Sequence, residues 1–475
     1  MTNKLIDEIR NNLDNGNVTS EMLFEEATSK AKKYQDEYNS FVTIMDNKEE
    51  LEGNSILRGI PYALKDNIST KGILTTASSN ILKDYIPLYN ATIYKKLKES
   101  GAVLMGKSVL DELAMGGTGT TGHTGIVRNP WNKERMIGGS SAGSAAAVAL
   151  GIVPFAIGSD TGDSIRKPAA YGGVVGYKPT YGRISRYGLF AFASSLDHLG
   201  VFARSVKDVS YVMDIVKGHD EKDMTSLPDE DILYVDNIDN DIKGKKLFYI
   251  KEIVDKSKYT NSNTIKIIDD FNKLLDTLKD KGYEIYEESM DENILKALKP
   301  VYTSISCAEV TSNNSNLTGI SFGHREKGES AMDVIKNFRT KNFSSLIKRR
   351  FVIGSFILQK ENQEKYFINA KKVRRVVVNT FNELFTKYDG LILPAQSDIA
   401  PKICDTTDEM GKDENVLDNH LVIGNFGGYP SITLPCNKLE GMPVGINITS
   451  GFKNDSYMLA VANDIEKIIK EDIHD

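Results

Sequence analysis

Cysteine is nearly absent. Cys307, Cys404 and Cys436 are the only three in 475 residues. An odd number at such wide spacing gives neither a disulfide framework nor a zinc signature, and it fits a reducing compartment such as the cytoplasm. Histidine is also scarce, six residues with no pair at metal-ligand spacing. A serine hydrolase built on this chain must therefore find its base somewhere other than imidazole. No stretch approaches the ~18 uncharged apolar residues of a membrane span, so no membrane partner is expected. Met1 to Gly16 is polar and charged without an apolar segment, so no secretory signal is expected either. There is no G-x-x-x-x-G-K-[ST] phosphate loop, and no cofactor is expected on the chain itself. The net charge of −6 is too mild, and of the wrong sign, for a broad nucleic-acid face. A partner that holds nucleic acid is not excluded. What remains, 40% hydrophobic and 26% charged residues, is the balance of a globular protein with a sizeable core.

The pattern along the chain alternates helices with short apolar strands. Residues 3–14 and 20–38 have the form of polar amphipathic helices, the second opened by Thr19-Ser20. Gly59 to Leu64 turns apolar and predicts a strand that delivers Lys65. A helix near 93–100, a strand at 102–105, an Ala/Val helix at 145–150 capped by Ser144, and a buried strand at 153–157 follow. Residues 218–245 are rich in Asp, Asn and Lys and suggest a surface connection. A strand at 246–250 and a helix over 263–281 resume the alternation. Residues 285–385 are expected to be mostly helical, with strands at 389–394 and 427–435 beyond. This alternation predicts an α/β fold with a mixed central sheet covered by helices on both faces. No linker composition divides the chain. We expect one domain over 1–475, with N-terminal helices to about 50, a core over about 55–205 and a helical insertion over about 285–385.

Chemistry concentrates in residues 138–168, GGSSAGSAAAVALGIVPFAIGSDTGDSIRKP. Two serine-bearing, glycine-rich loops flank a segment of small side chains. Bare backbone lets N–H groups crowd a reacting carbonyl, so the amides of Thr161, Gly162, Asp163 and Ser164 are candidates for an oxyanion hole around Ser164. The plain alternative is a tight loop packing a helix onto a sheet. A lysine closing an apolar strand usually lays its stem on the surface. If Lys65 is instead desolvated, it loses its proton readily and can act as a base. Lysine with serines at Ser140-Ser141 and Ser164 would solve the missing-histidine problem. A rival is the nucleophile elbow, since Gly139-Ser140-Ser141-Ala142-Gly143 fits G-x-S-x-G. That elbow needs an apolar strand before it. Trp131-Asn132-Lys133-Glu134-Arg135 is poor strand material, and His324 and His420 lack a triad context.

From Gly59 to Gly200 these residues resemble the amidase signature family. The resemblance rests on Gly138-Gly139-Ser140-Ser141, Gly158-Ser159-Asp160-Thr161-Gly162, Ser164-Ile165-Arg166 and Pro168-Ala169. It implies a mixed sheet sandwiched by helices and a Ser–cis-Ser–Lys triad: Ser164 as nucleophile, Ser140 as the bridging serine on a cis peptide, Lys65 as general base. Residues 174–183 and 191–197 are similar to one branch, the amidase components of bacterial amidotransferases acting on glutamyl-tRNA(Gln) or aspartyl-tRNA(Asn). That likeness continues through Lys348-Arg349-Arg350 and the C-terminal Gly428-Tyr429-Pro430. It implies glutamine as amide donor, held by Asp418 and by Arg349 or Arg350, with Tyr302 as a further candidate. It also implies B and C subunits as partners, tRNA reached through the B subunit, and ATP and Mg²⁺ used by the complex. The chain departs from the family at Asp163, where members mostly carry Gly, at Ala142, and over Gly116 to His123. A stand-alone amidase for another small amide, or a catalytically silent structural subunit, are the alternatives.

Overall fold

The computed structural model describes residues 1–240, 242, 245–406 and 415–472. Its strands run β1 (Phe41–Ile44), β2 (Pro61–Lys65), β3 (Val103–Ser108), β4 (Arg128–Asn129), β5 (Asn132–Met136), β6 (Phe155–Asp160) and β7 (Val175–Lys178). They continue with β8 (His198–Ala203), β9 (Lys246–Ile250), β10 (Glu284–Glu288), β11 (Gly390–Pro394), β12 (Ser431–Leu439) and β13 (Met442–Thr449). Among the described residues eleven of them form one sheet, in the order β1-β3-β2-β6-β8-β7-β12-β13-β11-β9-β10. The sheet is mixed. β2 pairs parallel with β3 and β6, β9 pairs parallel with β10 and β11, and β6 through β13 otherwise pair antiparallel.

Both faces are covered, and period-two alternation sorts the side chains between them. Tyr62, Leu64, Phe155, Ile157 and Val201 enter one apolar cluster. Ala63, Ala156 and Phe202 enter another, with Ala142, Ala145 and Ala146 of the Ala142–Ala149 helix. The small residues of this second cluster bring the helix close to the sheet. Lys65 follows Ala63 by two positions and so points to the same face, where the helix begins. Burial on both faces also removes the polar alternation that marks a half-exposed strand. β7, β8 and β13 are buried along their whole length.

Several elements depart from the sequence expectations. The Ala/Val helix starts earlier, at Ala142. Ser144 is inside it rather than at its cap, because its hydroxyl donates to Ile157 O of β6 (3.0 Å). Asn132–Met136 does form a strand, but in a two-stranded hairpin with β4 outside the main sheet. The stretch 285–385 opens with β10, a half-exposed edge strand too short and charged to read as one. Its remainder is helical, chiefly Glu292–Asn313, Ala331–Asn342, Ser345–Leu358 and Asn369–Leu384. No helix among the described residues is long and apolar enough to cross a membrane.

Candidate active site

Lys65 ends β2 and is fully buried. Its Nζ lies within hydrogen-bonding distance of Ser140 Oγ (2.8 Å), Ser141 Oγ (2.9 Å), Ser159 Oγ (2.8 Å) and Ser159 O (3.2 Å). The parallel register of β2 and β6, Leu64 opposite Ile157, carries the lysine to the end of β6 where Ser159 stands. Burial pulls its pKa from the ordinary 10.5 down to about 7, against the opposing pull of Asp111, Asp160 and Asp197. A buried lysine without an abutting carboxylate gives up its proton this way.

The Ser140 loop is held from behind by Asp111. That carboxylate accepts the N–H groups of Thr118, Gly119, Thr120 and Thr121 at 3.0–3.2 Å and the Thr121 hydroxyl at 2.8 Å. The glycine–threonine stretch from Gly116 to Thr121 is therefore a collar around one anion. A Cβ on Gly139 would come 1.9 Å from Asp111 Oδ2, so only glycine fits there. The Gly139–Ser140 peptide is cis, and Asp111 N donates to Ser140 O (3.1 Å). Sequence reasoning missed Asp111 and Ser159. Ser159 could have been found from its place in the Gly158–Gly162 motif. Asp111 carried no such signal.

Ser164 sits between β6 and the Arg166–Gly172 helix, almost fully buried, and its carbonyl accepts from Ser141 N (3.2 Å). That bond ties the two serine loops together. Among the described residues the N–H groups of Gly162, Asp163 and Ser164 donate to no protein acceptor. Three free amides in one turn make a concave donor site for an anion. The loop is pinned at both ends. Thr161 Oγ1 donates to Asp197 Oδ1 (2.6 Å). Buried Arg166 grips Asp160 through Nε and Nη2 (3.1 and 3.0 Å) and donates to Gly162 O (2.8 Å) and Asn425 Oδ1 (2.6 Å). Burial alone would raise the Asp160 pKa, but Arg166 holds it well below the usual carboxylate range.

A cavity of about 50 Å³ opens beside this loop, lined by Gly162, Asp163, Lys299, Tyr302 and Asp418 among others. Tyr302, on the Glu292–Asn313 helix, lies over Gly162, where a Cβ would meet its ring at 3.0 Å. Asp418, 251 positions beyond Lys167 in sequence, reaches the same cavity. Its Oδ1 accepts from Lys167 Nζ (2.8 Å) and its Oδ2 from Ser397 Oγ (2.6 Å). The structure separates the two neighbouring arginines. The Arg350 guanidinium lies 5.6 Å from the Phe192 ring centre and faces Tyr302 and Cys307, and its Nε is buried without a hydrogen-bond partner among the described residues. Arg349, turned ~100° round the helix, makes no such contact. Among the described residues no cluster of His, Cys, Asp or Glu is disposed to hold a metal ion.

Comparison with known proteins gives a consistent picture. The family model for amidases matches residues 1–459. The A subunit of the glutamyl-tRNA(Gln) amidotransferase of Lactobacillus acidophilus is 37% identical, covering 98% of this chain and 97% of its own. The like-named protein of Mycoplasma genitalium is 40% identical over 87% of each chain. The crystal structure of the corresponding Thermotoga maritima protein, again the A subunit of glutamyl-tRNA(Gln) amidotransferase, superposes with a TM-score of 0.80. Its identity is 33%, over 98% of this chain and 94% of that one.

Proposed function

The chain belongs to the amidase family, and from that premise we propose that it is the glutamine-hydrolysing component of an amidotransferase acting on glutamyl-tRNA(Gln), aspartyl-tRNA(Asn) or both. The observation that carries the reading is Lys65. Its amine is buried, surrounded by hydroxyls, and brought to half-protonation near neutral pH. Near-full-length similarity to proteins of that name supports the substrate.

Neutral Lys65 takes the proton of Ser140 while Ser140 takes that of Ser164. Ser164 Oγ then bonds to the side-chain carbonyl carbon of glutamine. The negative charge gathers on the former carbonyl oxygen, facing the free amides of Gly162, Asp163 and Ser164, with Thr161 holding the turn through Asp197. Collapse breaks the carbon–nitrogen bond, and the departing nitrogen takes the relayed proton as ammonia. Water repeats the relay against the Ser164 ester and releases glutamate. Arg350 pairs with the substrate α-carboxylate, Asp418 with its α-ammonium, and Tyr302 walls the side chain over Gly162. Arg349 is the alternative arginine that the geometry does not favour. The ammonia passes to a B subunit that binds tRNA and uses ATP and Mg²⁺, with a C subunit bracing the pair in the cytoplasm. This chain needs no cofactor for its own step.

The test is the assembled complex, supplied with either glutamine or an ammonium salt. Ser164→Ala is expected to abolish glutamine-dependent amidation of tRNA and to leave ammonium-dependent amidation in place. Undiminished glutamine-dependent amidation would overturn the mechanism. Rapid hydrolysis of aryl or aliphatic amides by the isolated chain would favour a stand-alone amidase instead.

A further inference from the structure

Asp163 and Lys167 play no side-chain part in the chemistry above, yet the first lines the substrate cavity, as Asp418 does, and the second bonds to Asp418. Lys167 Nζ occupies Asp418 Oδ1, and Ser397 occupies Oδ2. Each oxygen of the carboxylate meant for the substrate α-ammonium thus already has one donor, and the Lys167 charge neutralises it before any substrate enters. An arriving ammonium shares that single carboxylate with the Lys167 ammonium, the two cations repel, and a nearly buried lysine driven off with no new partner is strongly disfavoured.

Asp163 supplies the partner. It lies four residues before Lys167, just ahead of the Arg166–Gly172 helix, and its charge acts on the Lys167 ammonium. The Lys167 N–H donates to Asp163 O (2.9 Å), which fixes that turn. Among the described residues no hydrogen bond to the Asp163 carboxylate is present, and the ammonium groups of Lys167 and Lys299 both face it. Burial holds this carboxyl up at about 6, and the Lys167 charge already works against that rise.

We propose that Lys167 is a specificity-determining residue: an internal cation that neutralises Asp418 until an α-amino amide arrives, then moves to Asp163. The proposal rests on the reading that Asp418 receives the α-ammonium. An amide lacking that group leaves the Lys167–Asp418 pair undisturbed, so the exchange belongs to amino-acid amides alone.

The experiment compares the wild-type complex with Asp163→Asn, Lys167→Met, their double variant and Asp418→Asn. Each is assayed on glutamine and on 4-carbamoylbutanoate, the same amide without the α-ammonium. Asp163→Asn, which keeps the main-chain amide, is expected to raise the ratio of glutamine KM to 4-carbamoylbutanoate KM about tenfold. Adding Lys167→Met is expected to bring glutamine KM back to within about threefold of wild type, a non-additive rescue. Asp163→Gly serves in the same cycle if the Asn variant folds poorly. Additive effects, or equal shifts for both amides, would overturn the exchange, while a rise in KM on Asp418→Asn confined to glutamine upholds the underlying reading. An equal effect of Asp418→Asn on both amides would overturn that reading, and the exchange with it.

Discussion

Lys65→Met gives the sharpest test of the buried amine. Burial lowers the Lys65 pKa from 10.5 to about 7. At 1.36 kcal/mol per pH unit, that is ~5 kcal/mol against the folded state wherever both forms of the chain carry the ammonium. At pH 6 nearly all of this cost applies. At pH 9 the folded amine is neutral while the unfolded one is still charged, and ~2 kcal/mol remains. Between about 7 and 10.5 the unfolded chain binds more protons, so wild-type stability rises with pH across that window. Methionine cannot titrate and does not follow. Urea unfolding of both proteins at pH 6 and pH 9 is expected to shift their stability difference by roughly 2–3 kcal/mol in favour of wild type at the higher pH. The charge-dependent part of the contacts of Lys65 is already contained in its lowered pKa, and the part common to both protonation states drops out of that comparison. Glutamine kcat/KM of the wild type is expected to rise through a midpoint near 7, because the base acts unprotonated. A stability difference that is the same at both pH values would mean an ordinary, protonated lysine, and the general-base argument would fall.

Two further substitutions probe the surroundings. Arg350→Met is expected to raise glutamine KM at least about tenfold while Arg349→Met stays within about twofold; steady-state kinetics of the pair decides which arginine faces the cavity, and the reverse result would refute the assignment. Gly139→Ala places a methyl group 1.9 Å from Asp111 Oδ2, an oxygen already fixed by two N–H donors. Neither side can yield, and a loss of ~2–4 kcal/mol in urea unfolding is expected; an unchanged midpoint would show that the collar is soft.

What the sequence determined by itself is local. The apolar run before Lys65, the serines among glycines, and the amphipathic helices at 20–38 and 263–281 are each written within a few neighbouring residues, and each is found where the pattern put it. The scarcity of histidine was enough to turn attention to lysine as a base. The tertiary structure decided whatever depends on partners far apart in the chain. Ser144 has the form of a helix cap, but a carbonyl on the neighbouring strand takes its hydroxyl. Asp111 is one acid among many until the backbone of residues 118–121 wraps it. Arg349 and Arg350 are equivalent as letters and differ only in which side of their helix meets Tyr302 and Phe192. The Lys167–Asp418 pair joins residues 251 positions apart. Periodicity and punctuation report the conformation of a segment. The desolvation that lowers the Lys65 pKa, and the charges that share a cavity, exist only once separate segments have excluded water together.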